Sequence, residues 1–296
     1  MKQITIGSRG SDLALWQANF VKSELEKRGH EVTIQIIRTQ GDNIQHLSFD
    51  KLEGKGFFTK EIEDALLSNT VDLAVHSHKD LETNPPAGLE IACVSERAHP
   101  SDILLIRKES ADSSEKWGVK QSAIVGTSSA RRKTQLLHYR SDFDIQDLRG
   151  NVPTRIQKLR DGNYDAIVLA KAGVDRLELD LSEFDIHVFD PTEFVPAPAQ
   201  GVLGLQIRES DNEMREIMQE MNAPHIEKRI QLERKVLNLL EGGCQLPLGA
   251  FVDENNTLHV SFAPSVDSSC IYKTYPVEDD INGLAQRVVS DLNSHA

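Results

Sequence analysis

The stretch that decides the fold lies at residues 123–139, where the chain reads AIVGTSSARRKTQLLHY. The apolar residues at its start predict a buried strand, and the hydroxyl residues that follow predict a turn. Residues 130–139 are predicted to form a helix. Arg131 and Arg132 fall in the first turn of that helix, where the helix dipole disfavours cations. Two arginines are favourable there if an anion binds over them. The alternative is an ordinary solvated run of charges.

The same order of elements opens the chain. Residues 2–8 predict a strand, residues 12–28 a helix and residues 32–37 a second strand, which together form a βαβ unit. The turn between the first strand and the helix contains Arg9 and Ser11. A helix start favours anions, so both residues are candidates for anion binding. A plain capping turn with a surface arginine explains them equally well.

A third candidate lies after the apolar strand at residues 71–75, where the chain reads HSHKD at 76–80. Ligands of open α/β sheets bind at the carboxyl ends of strands, so Asp80 is well placed for function. Its alternative role is to cap the turn before the prolines that follow. His76 and His78 lack a third ligand nearby, so no metal site is predicted.

The repeated order of elements predicts an α/β fold. We expect two similar α/β lobes of the periplasmic-binding-protein type around a cleft. A small C-terminal α+β domain with a three-stranded antiparallel sheet follows them. The predicted boundaries are residues 1–97 with 195–217, residues 98–194, and residues 218–296. Three arginines follow strand ends or open helices in the second lobe, where the cleft should lie: Arg149, Arg155 and Arg176.

A glycine-rich loop in the last domain presents a cysteine. The chain reads EGGCQLPLGA at residues 241–250, directly after a predicted helix. Two glycines end the helix and leave space beside Cys244. The alternative is that Cys244 is a buried packing residue, as free cysteines often are. Cys93 and Cys270 lie in strand-like surroundings and are predicted to pack in the core, and the odd number of cysteines argues against a disulfide framework.

Composition excludes several classes of protein. The 296 residues carry a formal net charge of −13, which argues against bulk nucleic-acid binding. No apolar run approaches the roughly 18 residues of a membrane span. The first residues are typical of a strand rather than of a signal segment, so we expect a cytoplasmic protein. Residues 40–56 hold three glycines around Lys55 and predict a lid over the site.

Several of these stretches together identify a family. The chain resembles the porphobilinogen deaminases, also called hydroxymethylbilane synthases, along nearly its whole length. With the Gly-Gly-Cys loop, the motifs that carry the resemblance are GSRGS with LALWQ at 7–17, GKGFF at 54–58, AVHSHKD at 74–80, GTSSARR at 126–132 and LRGN at 148–151. No single motif is sufficient, but their combination and order are highly specific.

The resemblance implies a transferase of tetrapyrrole and haem biosynthesis. Such an enzyme joins four porphobilinogen molecules, releases ammonia, and yields hydroxymethylbilane. The family carries a dipyrromethane cofactor in thioether linkage to a cysteine that matches Cys244. Asp80 matches the catalytic aspartate, Lys55 the lid, and the family is usually monomeric. The implied contacts to the cofactor are Lys79, Asp80, Thr127, Ser129, Arg131 and Arg132, and those to substrate are Arg9, Ser11, Arg149, Arg155 and Arg176.

The chain departs from the family pattern at two places near these motifs. His78 stands where methionine is common, which brings a titratable group next to Lys79 and Asp80. Ala199 stands where glycine is usual. Two other classes of protein compete with the deaminase: a two-lobed protein that binds a small anion, and a cysteine hydrolase. The hydrolase needs a basic partner for its thiol, and the histidines nearest to Cys244 in sequence are His225 and His259.

Overall fold

A computed structural model of the protein describes residues 1–39, 59–240 and 246–294. The helices in these ranges are α1 (Asp12–Lys27), α2 (Lys60–Leu67), α3 (Ala130–Tyr139), α4 (Val152–Arg160), α5 (Lys171–Leu177), α6 (Asn212–Gln219), α7 (Pro224–Leu239) and α8 (Ile281–Asn293). The strands are β1 (Gln3–Ser8), β2 (Glu31–Ile36), β3 (Leu73–Ser77), β4 (Leu89–Val94), β5 (Asp102–Arg107), β6 (Ile124–Gly126), β7 (Asp144–Gln146), β8 (Ala166–Ala170), β9 (Phe184–Val188), β10 (Leu203–Arg208), β11 (Leu248–Val252), β12 (Thr257–Phe262) and β13 (Ile271–Pro276).

The chain divides into two compact units. One comprises Met1–Ala98 and Gly201–Lys228, and the other comprises His99–Gln200 and Arg229–Ala296. The second unit therefore holds both the second α/β sheet and the C-terminal sheet. The three domain boundaries expected from the sequence stay a prediction.

The first unit is built on a five-stranded sheet in the order β2-β1-β3-β10-β4. Strands β2, β1 and β3 are parallel, whereas β10 runs antiparallel to both β3 and β4. Apolar side chains of α1 and α6 cover one face of this sheet, and those of α2 cover the other. The central strand β3 is buried at four of its five positions, as expected for a strand that is covered on both faces.

The second sheet repeats this pattern in the order β7-β6-β8-β5-β9. Strands β7, β6 and β8 are parallel, and β5 runs antiparallel to both β8 and β9. Apolar residues of α4 and α5 lie on one face, and those of α3 lie on the other. The prediction of two similar α/β lobes is confirmed. Sequence reasoning missed β9, an edge strand whose Ile186 and Val188 are 48% and 43% exposed.

The C-terminal part of the second unit is a three-stranded antiparallel sheet, β11-β12-β13, as the sequence predicts. Leu232 and Val236 of α7, with Leu284 and Val288 of α8, pack against this sheet and form its core. Strand β11 begins at Leu248, a few positions after Cys244 in the sequence. Cys244 itself lies outside the described residues, as does Lys55.

The prediction that Cys93 and Cys270 are packing residues is confirmed. They are free thiols, 2% and 8% exposed. Burial raises the pKa of Cys93 to about 12 and that of Cys270 to about 11, so both stay protonated and unreactive at neutral pH. In the part of the chain that the structure describes, no helix has the length and apolar character needed to cross a membrane.

Candidate functional site

Two of the predicted motifs lie at one edge of the first sheet. Arg9 and Ser11 lie between β1 and α1, where the Ser11 hydroxyl caps the helix by accepting the N–H of Ala14 at 3.4 Å. Lys79 and Asp80 follow β3 directly. Because β1 and β3 are neighbouring parallel strands, their carboxyl ends share an edge of the sheet. The fold therefore places these four residues on the same side of the first unit.

Asp80 is presented to solvent on a fixed piece of backbone. It ends a short 3-10 turn over His78–Asp80, in which Asp80 is exposed and His78 is buried. The main-chain N–H of His78 donates to the carbonyl of Val202 at 3.0 Å, which ties the turn to the segment leading into β10. The Asp80 carboxylate can thus contact a ligand while the main chain of the turn stays fixed.

A buried polar network supports the strand that leads to Asp80. His76 is bonded through Nε2 to Oε1 of Gln206 at 3.0 Å. The amide of Gln206 donates in turn to Glu63 at 3.2 Å. Burial lowers the pKa of His76 to about 4 and raises the pKa of Glu63. At neutral pH His76 is therefore an uncharged donor to Gln206.

The free energy of unfolding should depend on pH through His76. Its pKa is about 4 in the folded protein, against 6.5 for a histidine in the unfolded chain, so the unfolded chain binds the proton more tightly. The stability from neutral His76 is fully present above pH 6.5 and is lost as the pH falls towards 4. The loss should reach about 3 kcal/mol.

Urea unfolding of the protein and of a His76→Gln variant, measured between pH 7 and pH 4, tests this expectation. The variant should be less stable at pH 7 and should lose less stability on acidification. Since Glu63 is present in both proteins, the difference between the two curves isolates His76. Parallel curves for the two proteins would contradict the assignment.

In the second unit, Thr127 and Ser129 shape the turn between β6 and α3. Ser129 is the N-cap residue of α3, and its hydroxyl accepts the N–H of Arg132 at 3.4 Å. The buried Thr127 hydroxyl accepts the N–H of Ser129 at 3.2 Å. Ser128, which the sequence did not single out, bonds both the carbonyl and the N–H of Leu148, at 3.1 and 3.0 Å. It joins this turn to the one that carries Arg149.

Arg131 and Arg132 are not on the surface. They are 5% and 6% exposed, and each contacts a different oxygen of the fully buried Asp102, at 2.8 and 2.6 Å. Main-chain carbonyls of Val195 and Val168 accept further hydrogen bonds from them, at 2.8 and 3.0 Å. Burial lowers the pKa of the Arg131 guanidinium, and the charge of Asp102 opposes that shift.

This cluster carries an excess positive charge at a helix start. Two guanidinium groups share one carboxylate, so one cation is not balanced within the three side chains. The Nε of Arg132 is buried and has no hydrogen-bond partner among the described residues. An anion bound at the start of α3 would supply the balancing negative charge and a hydrogen-bond acceptor for the Nε of Arg132. The sequence prediction located the arginines but missed Asp102, whose position at the start of an apolar strand gave no signal.

Of the other predicted arginines of the second unit, Arg149 and Arg155 lie near the same sheet edge. Arg149 follows the strand β7, which is parallel to β6, and Arg155 lies on α4, where its Nε donates to the carbonyl of Gly150 at 2.7 Å. Arg176 is near the end of α5, and burial lowers its pKa to about 10. The turns after β6 and β7 are thus brought together, whereas Arg176 lies at the far end of its helix.

The two departures from the expected pattern have structural correlates. The ring of His78 lies over Gly204 in β10, where an added Cβ would be 3.2 Å from the ring. Ala199 has a φ of 61°, in the left-handed region that favours glycine. Its N–H donates to the buried Glu233 at 2.8 Å, which holds the chain in this conformation.

The two histidines considered for a hydrolase each face a carboxylate. His259 lies 3.0 Å from Asp253, and the exposed His225 lies 3.2 Å from Glu96. In residues 1–39, 59–240 and 246–294 there is no group of three His, Cys, Asp or Glu side chains suited to a metal ion.

Comparison with known proteins assigns the family. Residues 4–216 match the model of the "Porphobilinogen deaminase, dipyromethane cofactor binding domain". A porphobilinogen deaminase of Chloroherpeton thalassium is 43% identical over 273 residues, covering 90% of this chain and 84% of the relative. One from Maridesulfovibrio salexigens is 41% identical over 300 residues, covering 98% and 96%. The chain belongs to the porphobilinogen deaminase family.

Proposed function

We propose that this protein condenses porphobilinogen into hydroxymethylbilane, with release of ammonia, in tetrapyrrole biosynthesis. Membership of the family and the turn motifs at the sheet edges support this function. The observation that carries it is the buried Arg131–Asp102–Arg132 cluster at the start of α3. Its unbalanced cation suits a ligand with several carboxylates. No observation favours the alternative, a protein that only binds a small anion.

The residues of the second unit fit a dipyrromethane cofactor. Each pyrrole ring carries an acetate and a propionate, so the group needs clustered donors with positive charge. The helix start at Ser129, the excess charge of the arginine cluster and the orphaned Nε of Arg132 provide them. When bound, the dipyrromethane supplies the pyrrole carbon to which the first substrate is joined. Cys244 is the proposed covalent attachment point.

Asp80 is the proposed catalytic residue. When porphobilinogen loses ammonia, the C–N bond breaks and the pyrrole is left with positive character. A carboxylate near the ring N–H stabilises that charge and can exchange a proton with it. The accepting pyrrole loses the proton from the carbon that forms the new bond. Asp80 suits this role because it is exposed, at a strand end, and beside Lys79, a proposed cofactor contact.

The remaining arginines are proposed to bind the substrate and the growing chain. Every added pyrrole brings two carboxylates, and Arg binds carboxylates through two parallel hydrogen bonds. Arg9 and Ser11 in the first unit, with Arg149, Arg155 and Arg176 in the second, are assigned this role. Lys55 is assigned to a lid. These roles explain local cations in a chain of net charge −13.

The intact mass of the purified protein tests the proposal. We expect an excess over the polypeptide equal to two porphobilinogens less two ammonias, and we expect Cys244→Ser to lose it. Cys93→Ser is the matched control, because Cys93 is a buried packing residue in the first unit. It should keep the added mass.

A polypeptide mass with no excess, unchanged after incubation with porphobilinogen, would refute the proposal. Retention of the excess by Cys244→Ser would place the cofactor on another residue.

Cytoplasmic location and a monomeric state are further parts of the proposal. The buried free thiols Cys93 and Cys270 are typical of proteins in a reducing compartment, which supports the first.

A further inference from the structure

The carbonyl of Val195 is a shared anchor for the arginine cluster. It accepts a hydrogen bond from Nη1 of Arg131 at 2.8 Å and one from Nε2 of Gln135 at 2.9 Å. The N–H of Val195 donates back to Oε1 of Gln135 at 2.7 Å. Both side chains come from α3 and all three groups are buried. The position of this one peptide therefore fixes the direction of the Arg131 guanidinium.

Strand β11 contacts the same segment of the chain, both at Val195 and at the residue that follows it. The N–H of Ala250 donates to the carbonyl of Pro196 at 3.0 Å. At Gly249, an added Cβ would lie 2.5 Å from the main-chain oxygen of Val195, 2.9 Å from the Cβ of Val195 and 2.5 Å from the Oγ of Ser261. The Ser261 hydroxyl can rotate away, whereas the Val195 oxygen belongs to the backbone and cannot. Gly249 has no positive φ, so the requirement for glycine here is steric.

We propose that Gly249 is a positioning residue for cofactor binding. Its missing side chain lets β11 contact the peptide of Val195, and that peptide aims Arg131 at the carboxylates of the dipyrromethane. The inference rests on the proposed function of Arg131 and Cys244. Gly249 also follows Cys244 by a few residues in the sequence.

A methyl group at position 249 should misdirect Arg131. Either β11 or the Val195 peptide must shift, because real Cβ atoms do not approach an oxygen as closely as 2.5 Å. If the peptide shifts, the carbonyl no longer meets the Arg131 donor, and the pairing with Asp102 alters with it. We expect the apoprotein to take up the cofactor about tenfold more slowly, as expected for loss of one hydrogen bond to a charged group.

The test compares Gly249→Ala with Gly283→Ala. The second variant makes the same chemical change in the same C-terminal sheet domain, where the new Cβ would meet Asp280, the N-cap of α8. It can lower stability but leaves the Val195 contacts untouched. Apoproteins are incubated with porphobilinogen well below their unfolding temperatures, and intact mass is followed with time. Gly249→Ala should gain the cofactor mass slowly, and Gly283→Ala at the wild-type rate.

Gln135→Met provides a second approach if Gly249→Ala does not fold. It removes two of the three hydrogen bonds that hold Val195 to side chains of α3, without a large change in volume. It should also take up the cofactor slowly. Wild-type uptake by either folded variant would overturn the inference, as would equal slowing in Gly283→Ala. Failure of the proposed function looks different, because the wild-type protein itself would then gain no mass through Cys244.

Discussion

Asp80→Ala is expected to lower the turnover of porphobilinogen by a factor of about 10²–10⁴, the usual contribution of a positioned acid–base group. The carboxylate is lost at the point where the pyrrole becomes positively charged, and water does not replace it in a fixed position. Because Asp80 is exposed at the end of a 3-10 turn, its removal should not change the fold. The measurement is the rate of product formation by protein that carries the full cofactor mass.

Asp64→Asn is the matched control for this experiment. Asp64 is an exposed carboxylate on α2 in the same unit, and it has no proposed contact with substrate. Its variant should retain wild-type turnover. Near-normal turnover by Asp80→Ala with unchanged thermal unfolding would remove Asp80 from the catalytic role. Loss of the cofactor mass in Asp80→Ala would instead assign it to cofactor binding.

Asp102→Asn should lower the free energy of unfolding by about 3–5 kcal/mol, as is typical when one partner of a buried ion pair is removed. The substitution leaves two guanidinium groups, 5% and 6% exposed, without a countercharge. Gln200 would also lose a charged acceptor, since its amide lies 3.0 Å from Asp102. The shape of the side chain is retained, so the expected loss is electrostatic. Urea unfolding at neutral pH and low salt measures it.

Asp175→Asn is the control variant, and it measures how much an ordinary surface ion pair contributes to the free energy of unfolding. Asp175 contacts Lys171 across one exposed turn of α5, at 2.7 Å. Such surface pairs contribute about 0.3–0.5 kcal/mol, so this variant should unfold almost as the wild type does. If Asp102→Asn were equally mild, the arginine cluster would not depend on its carboxylate. The excess positive charge inferred for the site would then need another explanation.

Much of the site was predictable because its signals are local. Strand, turn and helix follow each other directly within residues 3–27 and within residues 124–139, and the observed elements match the predicted ones closely. The turns carry Ser11 and Ser129, whose capping roles depend on neighbours in the sequence. The strand that ends before Asp80 is recognised in the same way. Motifs of this kind also carry the family resemblance.

What could not be predicted depends on residues that are far apart in the chain. Strand β9 alternates apolar and polar residues over only five positions, and as an edge strand it leaves its apolar Ile186 and Val188 exposed, so its pairing with β5 decides the strand. Asp102 meets the arginines across about thirty positions, and nothing around it marks a buried countercharge. The sequence suggested arginines open to a ligand, whereas the structure shows them largely satisfied by Asp102 and by main-chain carbonyls.

The sequence by itself determined the fold class, the two similar lobes, the C-terminal sheet and the family. Hydrophobic periodicity and turn-forming residues involve only positions close together in the sequence, so they can be recognised without the structure. Only the tertiary structure decided that Asp102 balances one of two buried arginines, that His76 is uncharged, and that Gly249 leaves room for the Val195 carbonyl. The reason is physical: burial, countercharge and close approach are properties of packed surfaces, and packing brings together residues whose local sequences are independent of one another.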